Sequence, residues 1–166
     1  MIHTTLNNLT GQALRDTLLK CCGSTRWAEK MITQHPFSTE EDVHAFAQRY
    51  WREMEKSDIL EAFSAHPMIG ANLDELRRKF QHTSTWSENE QAGMNSASEE
   101  IILALQQANQ EYFARFGYIF IVCATGKTAK EMLDIIHSRL PNDPTEELGI
   151  AAYEQEKITT IRLGKL

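Results

Sequence analysis

The sequence predicts an all-α fold, a single-domain bundle of roughly eight helices with one short extended apolar segment. Three observations support this prediction: apolar residues recur at helical spacing, helix-capping motifs precede most of these runs, and the joints between the runs are short. With 166 residues and 42% hydrophobic content, the chain is long enough to bury a core of its own. We therefore expect residues 1–166 to form one domain.

Polar residues mark the beginnings of the predicted helices. The clearest helix follows Ser38-Thr39-Glu40-Glu41, a capping box after which apolar residues repeat every three to four positions up to Met54. A long helix runs from Ser87 to about Phe116 and ends at Gly117. The predicted helix starts lie, in chain order, at Thr10, Ser24 or Thr25, Ser38-Thr39, Ser57, Asn72, Ser87, Thr128 and Asp143.

The extended segment runs from Tyr118 to Ala124 and is apolar throughout, between Gly117 and Gly126. Its short length and its β-branched residues favour an extended, buried conformation over a helix. Since the sequence offers no second strand for it to pair with, we expect a connection between helices rather than part of a sheet.

Charge and composition exclude several classes of partner. Lys and Arg number 17 against 23 Asp and Glu, a formal net charge of -6, and no basic block stands out. Nucleic acid and anionic membranes are therefore not expected as partners. No apolar run approaches the length of a membrane span, and the first residues lack the layout of a signal peptide. Together with an odd set of three cysteines, which indicates reduced thiols, these features predict a cytoplasmic protein.

His66 is the first candidate for chemistry. Pro67 lacks an amide hydrogen and disfavours a helical conformation at the preceding residue, so the helix that carries Phe63 should end at His66. This places an imidazole, which exchanges protons near neutral pH, on a corner between helices. On local sequence alone, the alternative is a histidine that caps a helix end or bonds a backbone carbonyl.

The second candidate is the helix start Ser87-Glu88-Asn89-Glu90-Gln91. Ser-x-x-Glu at such a position is also an ordinary capping box, and others occur in this chain. The two interpretations are compatible, because a helix N-terminus presents unpaired amides and a partial positive charge. A carboxylate at Glu90 can raise the pKa of a neighbouring histidine, and the Gln91 carboxamide can hold a urea or imide group by paired hydrogen bonds.

Common cofactor and metal motifs are missing from the sequence. It has no His-Glu-x-x-His, no paired Cys-x-x-Cys, no P-loop, no Gly-x-Gly-x-x-Gly and no Gly-x-Ser-x-Gly. We therefore expect no bound transition metal.

Four motifs, in order and spread over nearly the whole chain, resemble the OHCU decarboxylase family, where OHCU is 2-oxo-4-hydroxy-4-carboxy-5-ureidoimidazoline. They are Cys21-Cys22-Gly23-Ser24-x-Arg26-Trp27-Ala28, Ala65-His66-Pro67-x-Ile69-Gly70, Ser87-x-x-Glu90-Gln91-x-Gly93 and Phe116-Gly117-Tyr118-x-Phe120-Ile121-x-Cys123-Ala124. The resemblance implies an all-helical homodimer that works without metal or cofactor. It also implies the reaction, which is the last step from urate to (S)-allantoin.

The resemblance also implies roles for individual residues. His66 corresponds to the catalytic proton donor, Glu90 to a catalytic carboxylate, and Pro67 to a neighbour of the substrate. Members often carry an arginine shortly after the Cys-Ala pair, where this chain has Lys127, so a cationic clamp for the substrate carboxylate stays open at that position. The remaining substrate-binding residues implied are Ser87, Glu88, Asn89 and Gln91 at the helix start, and Ile119, Phe120, Ile121, Val122 and Cys123 as a wall.

Two other functions compete with this one. The chain could hydrolyse a neighbouring intermediate of the urate pathway, which would need an activated water and more basic groups. It could instead be a non-catalytic helical module that binds another protein, in which case a small polar molecule such as allantoin should not stabilise it.

Overall fold

A computed structural model describes residues 1–68, 73–80 and 88–166, with backbone alone at residues 79, 80 and 88–98. Within these ranges it contains nine α-helices and no β-strand, which confirms the all-α prediction. None of these helices combines the length and the apolar character needed to cross a membrane. The helices are α1 (Ile2–Asn7), α2 (Gly11–Cys21), α3 (Thr25–Ile32), α4 (Glu40–Arg52), α5 (Lys56–Ser64), α6 (Leu73–Phe80), α7 (Glu88–Phe116), α8 (Ala129–Arg139) and α9 (Pro144–Gly164).

A first compact unit comprises Met1–His66, Ile121–Cys123 and Gly149–Leu166. Helix α3 packs against α2, α4 and α5 at its centre, where Trp27 is fully buried. Tryptophan ring nitrogens connect its helices, because Trp27 donates to the Ala47 carbonyl at 3.0 Å and Trp51 donates to the Ala152 carbonyl at 2.9 Å. The second of these bonds fixes α9 against α4.

A second compact unit comprises Pro67–Phe120 and Ala124–Leu148. It contains α6, α7, α8 and the first residues of α9, and Tyr112 is the largest fully buried side chain among its described residues. Beside Tyr112 lies a buried ion pair between Arg139 and Glu147, whose side chains are 7% and 0% exposed. The Arg139 guanidinium also stacks 4.6 Å from the centre of the Phe120 ring.

Several of the predicted capping residues are confirmed, whereas Asn72 and Ser87 lie outside the described residues. Ser24, Thr39 and Thr128 each accept a hydrogen bond from the backbone N–H three residues later, at 3.1 to 3.2 Å. The prediction of Ser57 as the cap of α5 is wrong. Glu55 occupies that position and donates its N–H to Asp58 Oδ2 at 3.1 Å, so the helix begins one residue before Ser57. Helix α1 was not predicted.

The apolar connection is also as predicted, since residues 119–124 are neither helix nor strand. Helix α7 ends because Gly117 takes a φ of +81°, which an L side chain rarely adopts, while its N–H donates to the Phe113 carbonyl at 2.8 Å.

Gly23 lies in the joint between α2 and α3, where the packing leaves no room for a side chain. A Cβ added to Gly23 would lie 2.5 Å from the Ala65 Cβ, well inside van der Waals contact. A glycine is therefore required here because α5 ends against the α2–α3 joint, and the next residue along the chain from Ala65 is His66.

Candidate active site

His66 lies on the corner that follows α5. The helix ends at Ser64, and the His66 N–H completes the last turn by donating to the Phe63 carbonyl at 3.1 Å. Phe63 is fully buried and anchors this turn, whereas Pro67 is exposed. The imidazole itself is partly buried, so it is held by the protein and remains accessible from one side.

Gln155 of α9 holds one ring nitrogen of His66. Its side chain is fully buried, and Oε1 lies 2.5 Å from Nε2 of the imidazole. The Gln155 amide nitrogen lies 3.1 Å from Oγ1 of Thr159, one helical turn later. Two buried polar side chains of α9 thus hold the imidazole at its Nε2 atom, Gln155 directly and Thr159 through Gln155.

Arg162 approaches the other ring nitrogen. Its Nη2 lies 3.4 Å from Nδ1 of His66, and its Nη1 donates to the Lys20 carbonyl at 3.2 Å. The guanidinium is thereby fixed at the C-terminal end of α2, where helix carbonyls favour a cation. His66 and Arg162 form a pair in which one group exchanges protons and the other carries a permanent positive charge.

The environment favours the neutral form of His66. Burial lowers the pKa of His66 below its ordinary value, the hydrogen bond with Gln155 opposes this effect, and the charge of Arg162 lowers the pKa further. In the absence of a ligand, the imidazole is therefore more readily neutral than a histidine in water.

Of the predicted helix start, the structure describes only the backbone, and only from Glu88 onwards. Ser87 lies outside the described residues, and α7 begins at Glu88. Glu88, Asn89, Glu90 and Gln91 are in its first turn, but their side chains are also outside the described part of the chain. The helix at this position is as predicted, and the approach of Glu90 to His66 stays a prediction.

The predicted wall consists mainly of buried residues. Phe120, Ile121, Val122 and Cys123 are between 2% and 8% exposed, and Ile119 is partly buried. The Cys123 N–H donates to Glu154 Oε1 at 3.2 Å, and Glu154 pairs with Lys157 at 2.5 Å. Cys123 also lines a cleft of about 410 Å³ between residues of α4 and α9, and His66 is not among the residues that line it.

Metal-binding side chains do not cluster in the described ranges, where no group of three or more His, Cys, Asp or Glu could hold an ion. The positive charge that the described residues place beside the imidazole is the guanidinium of Arg162.

Sequence reasoning missed Gln155 and Arg162. A signal existed in their spacing, since Gln155, Thr159 and Arg162 recur at i, i+4 and i+7 and so share one face of α9. In the sequence this polar face is indistinguishable from a solvent-facing one. Its burial, complete at Gln155 and 95% at Thr159, is visible only in the structure.

Comparison with known proteins places these residues in a family. The family model of OHCU decarboxylase matches residues 7–164, which is nearly the whole chain. The chain belongs to the OHCU decarboxylase family. The resemblance drawn from four sequence motifs is thereby confirmed.

The relatives include a bifunctional protein that is longer than this chain. The uric acid degradation bifunctional protein TTL of Arabidopsis thaliana is 38% identical over 152 residues, which cover 88% of this chain and 45% of that protein. The chain thus spans less than half the length of that relative. The 2-oxo-4-hydroxy-4-carboxy-5-ureidoimidazoline decarboxylase of Mus musculus is 28% identical over 139 residues, which cover 84% of this chain and 77% of that protein.

A solved structure is similar to this chain in both fold and sequence. The crystal structure of an OHCU decarboxylase in the presence of (S)-allantoin superposes with a TM-score of 0.72 at 38% sequence identity, covering 90% of this chain and 96% of that one. The all-α OHCU decarboxylase fold of this chain therefore rests on sequence and structure together.

Proposed function

We propose that this chain catalyses the decarboxylation of OHCU to (S)-allantoin, with His66 as the stereospecific proton donor. The observation that supports the proposal is the His66–Arg162 pair in a chain that belongs to the OHCU decarboxylase family. Arg162 lies on α9 and is held beside His66 by its bond to the Lys20 carbonyl of α2. The name of the solved neighbour, which was crystallised in the presence of (S)-allantoin, supports the same product.

The chemistry needs little from the protein. The substrate carries a carboxylate and a hydroxyl on one ring carbon beside a C=N bond. When CO₂ leaves, the electron pair of the broken C–C bond moves towards that C=N bond, so the substrate is its own electron sink. The net reaction takes up one proton for each CO₂ released, and that proton must reach one face of the adjacent carbon. Orientation and directed proton delivery are therefore the tasks of the site.

Arg162 is suited to the substrate carboxylate. A guanidinium donates paired hydrogen bonds in a geometry that matches a carboxylate, and here it already points at the imidazole. We assign to Arg162 the clamp that the sequence left open at Lys127. When the carboxylate binds, its negative charge offsets that of Arg162 and makes protonation of His66 easier.

The other predicted residues complete the proposal. Glu90 would bond the substrate hydroxyl or His66 and favour the charged imidazole, while Ser87, Gln91 and nearby amides would hold the ureido and ring carbonyl groups. Pro67 and the wall from Ile119 to Cys123 would border the substrate, and Glu88 and Asn89 would offer backbone amides. Residues 1–166 would act as one domain, in a cytoplasmic homodimer, without a cofactor.

Circular dichroism of allantoin formation tests the proposal. Urate oxidase and hydroxyisourate hydrolase generate the unstable substrate in place, with and without this protein. We expect rapid appearance of one enantiomer, and its loss in the His66→Asn variant with an unchanged far-UV spectrum. Racemic product at the spontaneous rate would overturn the proposal and favour a protein-binding module. Undiminished activity of His66→Asn would overturn the role of His66.

A further inference from the structure

Gln155 has a buried amide group between two partners. Its side chain is fully buried in the first unit, with Oε1 2.5 Å from Nε2 of His66 and the amide nitrogen 3.1 Å from Oγ1 of Thr159. A buried polar side chain is costly unless its hydrogen bonds are made. Which amide atom faces His66 determines which ring nitrogen carries the proton.

Thr159 determines the orientation of this amide. Its hydroxyl has a single hydrogen, which it donates to the backbone carbonyl of Gln155 at 3.0 Å. Oγ1 can then only accept from the Gln155 side chain, so the NH₂ group faces Thr159 and Oε1 faces His66. An acceptor at this position requires a proton on Nε2 of the imidazole.

Arg162 leads to the same result independently. A guanidinium has donors and no acceptor, and Nη2 of Arg162 lies 3.4 Å from Nδ1 of His66. Nδ1 must therefore accept, which leaves the proton of the neutral ring on Nε2. The amide of Gln155 and the guanidinium of Arg162 thus agree on one tautomer.

We infer that Gln155, oriented by Thr159, is a positioning residue that fixes the proton on Nε2 of His66 and presents Nδ1 to the substrate as the proton-exchanging atom. Nδ1 takes up a proton when a bound carboxylate engages Arg162, and this proton is then transferred to carbon. The Gln155 carbonyl keeps the Nε2 hydrogen bonded throughout and so prevents the ring from turning. The role in catalysis rests on the proposed decarboxylase activity, whereas the tautomer does not.

Other titratable groups around this array stay in one state near neutral pH. Cys22 lies within hydrogen-bonding reach of Thr159, and burial raises the pKa of its thiol to about 12. Burial likewise raises the pKa of Cys21, close to Arg162, to about 11. Among the described groups facing the array, Arg162 carries the charge and His66 is the group that titrates.

Nitrogen NMR of the His66 ring tests the tautomer without substrate. Long-range ¹H–¹⁵N spectra of the ¹⁵N-labelled full chain, assigned with His66→Asn, should show a protonated Nε2 and an unprotonated Nδ1 above the pKa. In Gln155→Leu and Thr159→Val only Arg162 still favours this tautomer, so the fraction of His66 with the proton on Nε2 should fall. Thr160→Val is the matched control, because its hydroxyl donates to the Glu156 carbonyl at 3.0 Å in the same way but does not contact Gln155.

Kinetics test the consequence. A hydrogen bond to a charged group is lost in Gln155→Leu, so we expect kcat to fall about 10- to 100-fold with little change in KM. Gln155→Glu should retain more activity, since a carboxylate also accepts from Nε2–H. Thr160→Val should match the parent protein in kcat and pH profile.

Two results would overturn the inference: a proton on Nδ1 in the parent protein, or an unchanged tautomer and pH profile in both folded variants, Gln155→Leu and Thr159→Val. If the parent protein lacks decarboxylase activity, the proposed function fails, and the spectra still decide the tautomer. Thermal unfolding of each variant separates loss of positioning from loss of fold.

Discussion

The guanidinium of Arg162 lies 3.4 Å from Nδ1 of His66, so a permanent positive charge faces the atom that gains a proton in the proposed reaction. Its second bond, to the Lys20 carbonyl at 3.2 Å, keeps it there. Such an arrangement disfavours protonation of the free site and permits it when an anion arrives. In the proposed reaction, binding of the anionic substrate and protonation of the imidazole are thereby coupled.

Replacement of Arg162 should reduce activity mainly through substrate binding. Arg162→Gln removes a charged, forked donor, so we expect kcat/KM to fall about 100-fold, with most of the loss in KM. Arg162→Lys should recover part of this loss, because it restores the charge without the fork. Steady-state kinetics by circular dichroism measure both. Arg49→Gln, which removes an exposed ion pair with Glu53, is the control and should change little.

Titration of His66 should respond in opposite directions to its two neighbours. Burial lowers the pKa of His66 and the Arg162 charge adds to this, so Arg162→Gln should raise the pKa. The Gln155 hydrogen bond stabilises the protonated ring, so Gln155→Leu should lower the pKa further. NMR titration of the ring in ligand-free protein gives both values. Shifts of the same sign in the two variants would contradict the geometry described for this pair.

Gly23→Ala should damage the site from a distance. The new methyl group would lie 2.5 Å from the Ala65 Cβ, so the corner that carries His66 must move. We expect a loss of about 1–3 kcal/mol in the free energy of unfolding and a fall in kcat. Adding Ala65→Gly removes the clash and should restore much of both. Gly149→Ala, where no atom lies within 4 Å, should not destabilise the protein. Urea denaturation and steady-state kinetics measure these changes. Equal stability and equal kcat in Gly23→Ala and Gly149→Ala would contradict the prediction.

The buried Arg139–Glu147 pair should matter to stability far more than an exposed pair. Glu147→Leu leaves the Arg139 charge buried without its carboxylate and should cost about 3–5 kcal/mol. The double variant Arg139→Met/Glu147→Leu should cost less than the sum of its single variants. Denaturant unfolding measures the three. Glu29→Gln, which breaks the exposed pair with Arg15, should change stability little. Additive losses at Arg139 and Glu147 would show that the two charges do not depend on each other.

Features determined by neighbouring residues could be predicted from the sequence. Pro67 disfavours a helical conformation at His66, two residues past the end of α5, and Ser24 and Thr128 each accept from the backbone N–H three residues later, so each pattern is local. The Ser57 prediction was wrong for a related reason. Glu55 and Ser57 are both plausible helix starts, and the choice between them depends on the bond between Glu55 and Asp58.

Features determined by distant residues could not be predicted in this way. Gly23 has the sequence appearance of a helix stop, but what requires it is Ala65, which the fold brings against it. The role of Gln155 and Arg162 could not be predicted because no local rule shows that this face of α9 is covered. The family resemblance directed attention to Lys127, whereas the cation that the structure places beside His66 comes from the far end of the chain.

The separation of these partners along the chain has a consequence for how the protein acquires its function. His66 is 89 residues from Gln155 and 96 from Arg162, so the array closes two long loops in the first unit. Closing a long loop costs entropy before any contact compensates for it, and contacts of this kind form late. On refolding, helical signal should return before the imidazole finds its partners, and enzymatic competence should be among the last properties to appear.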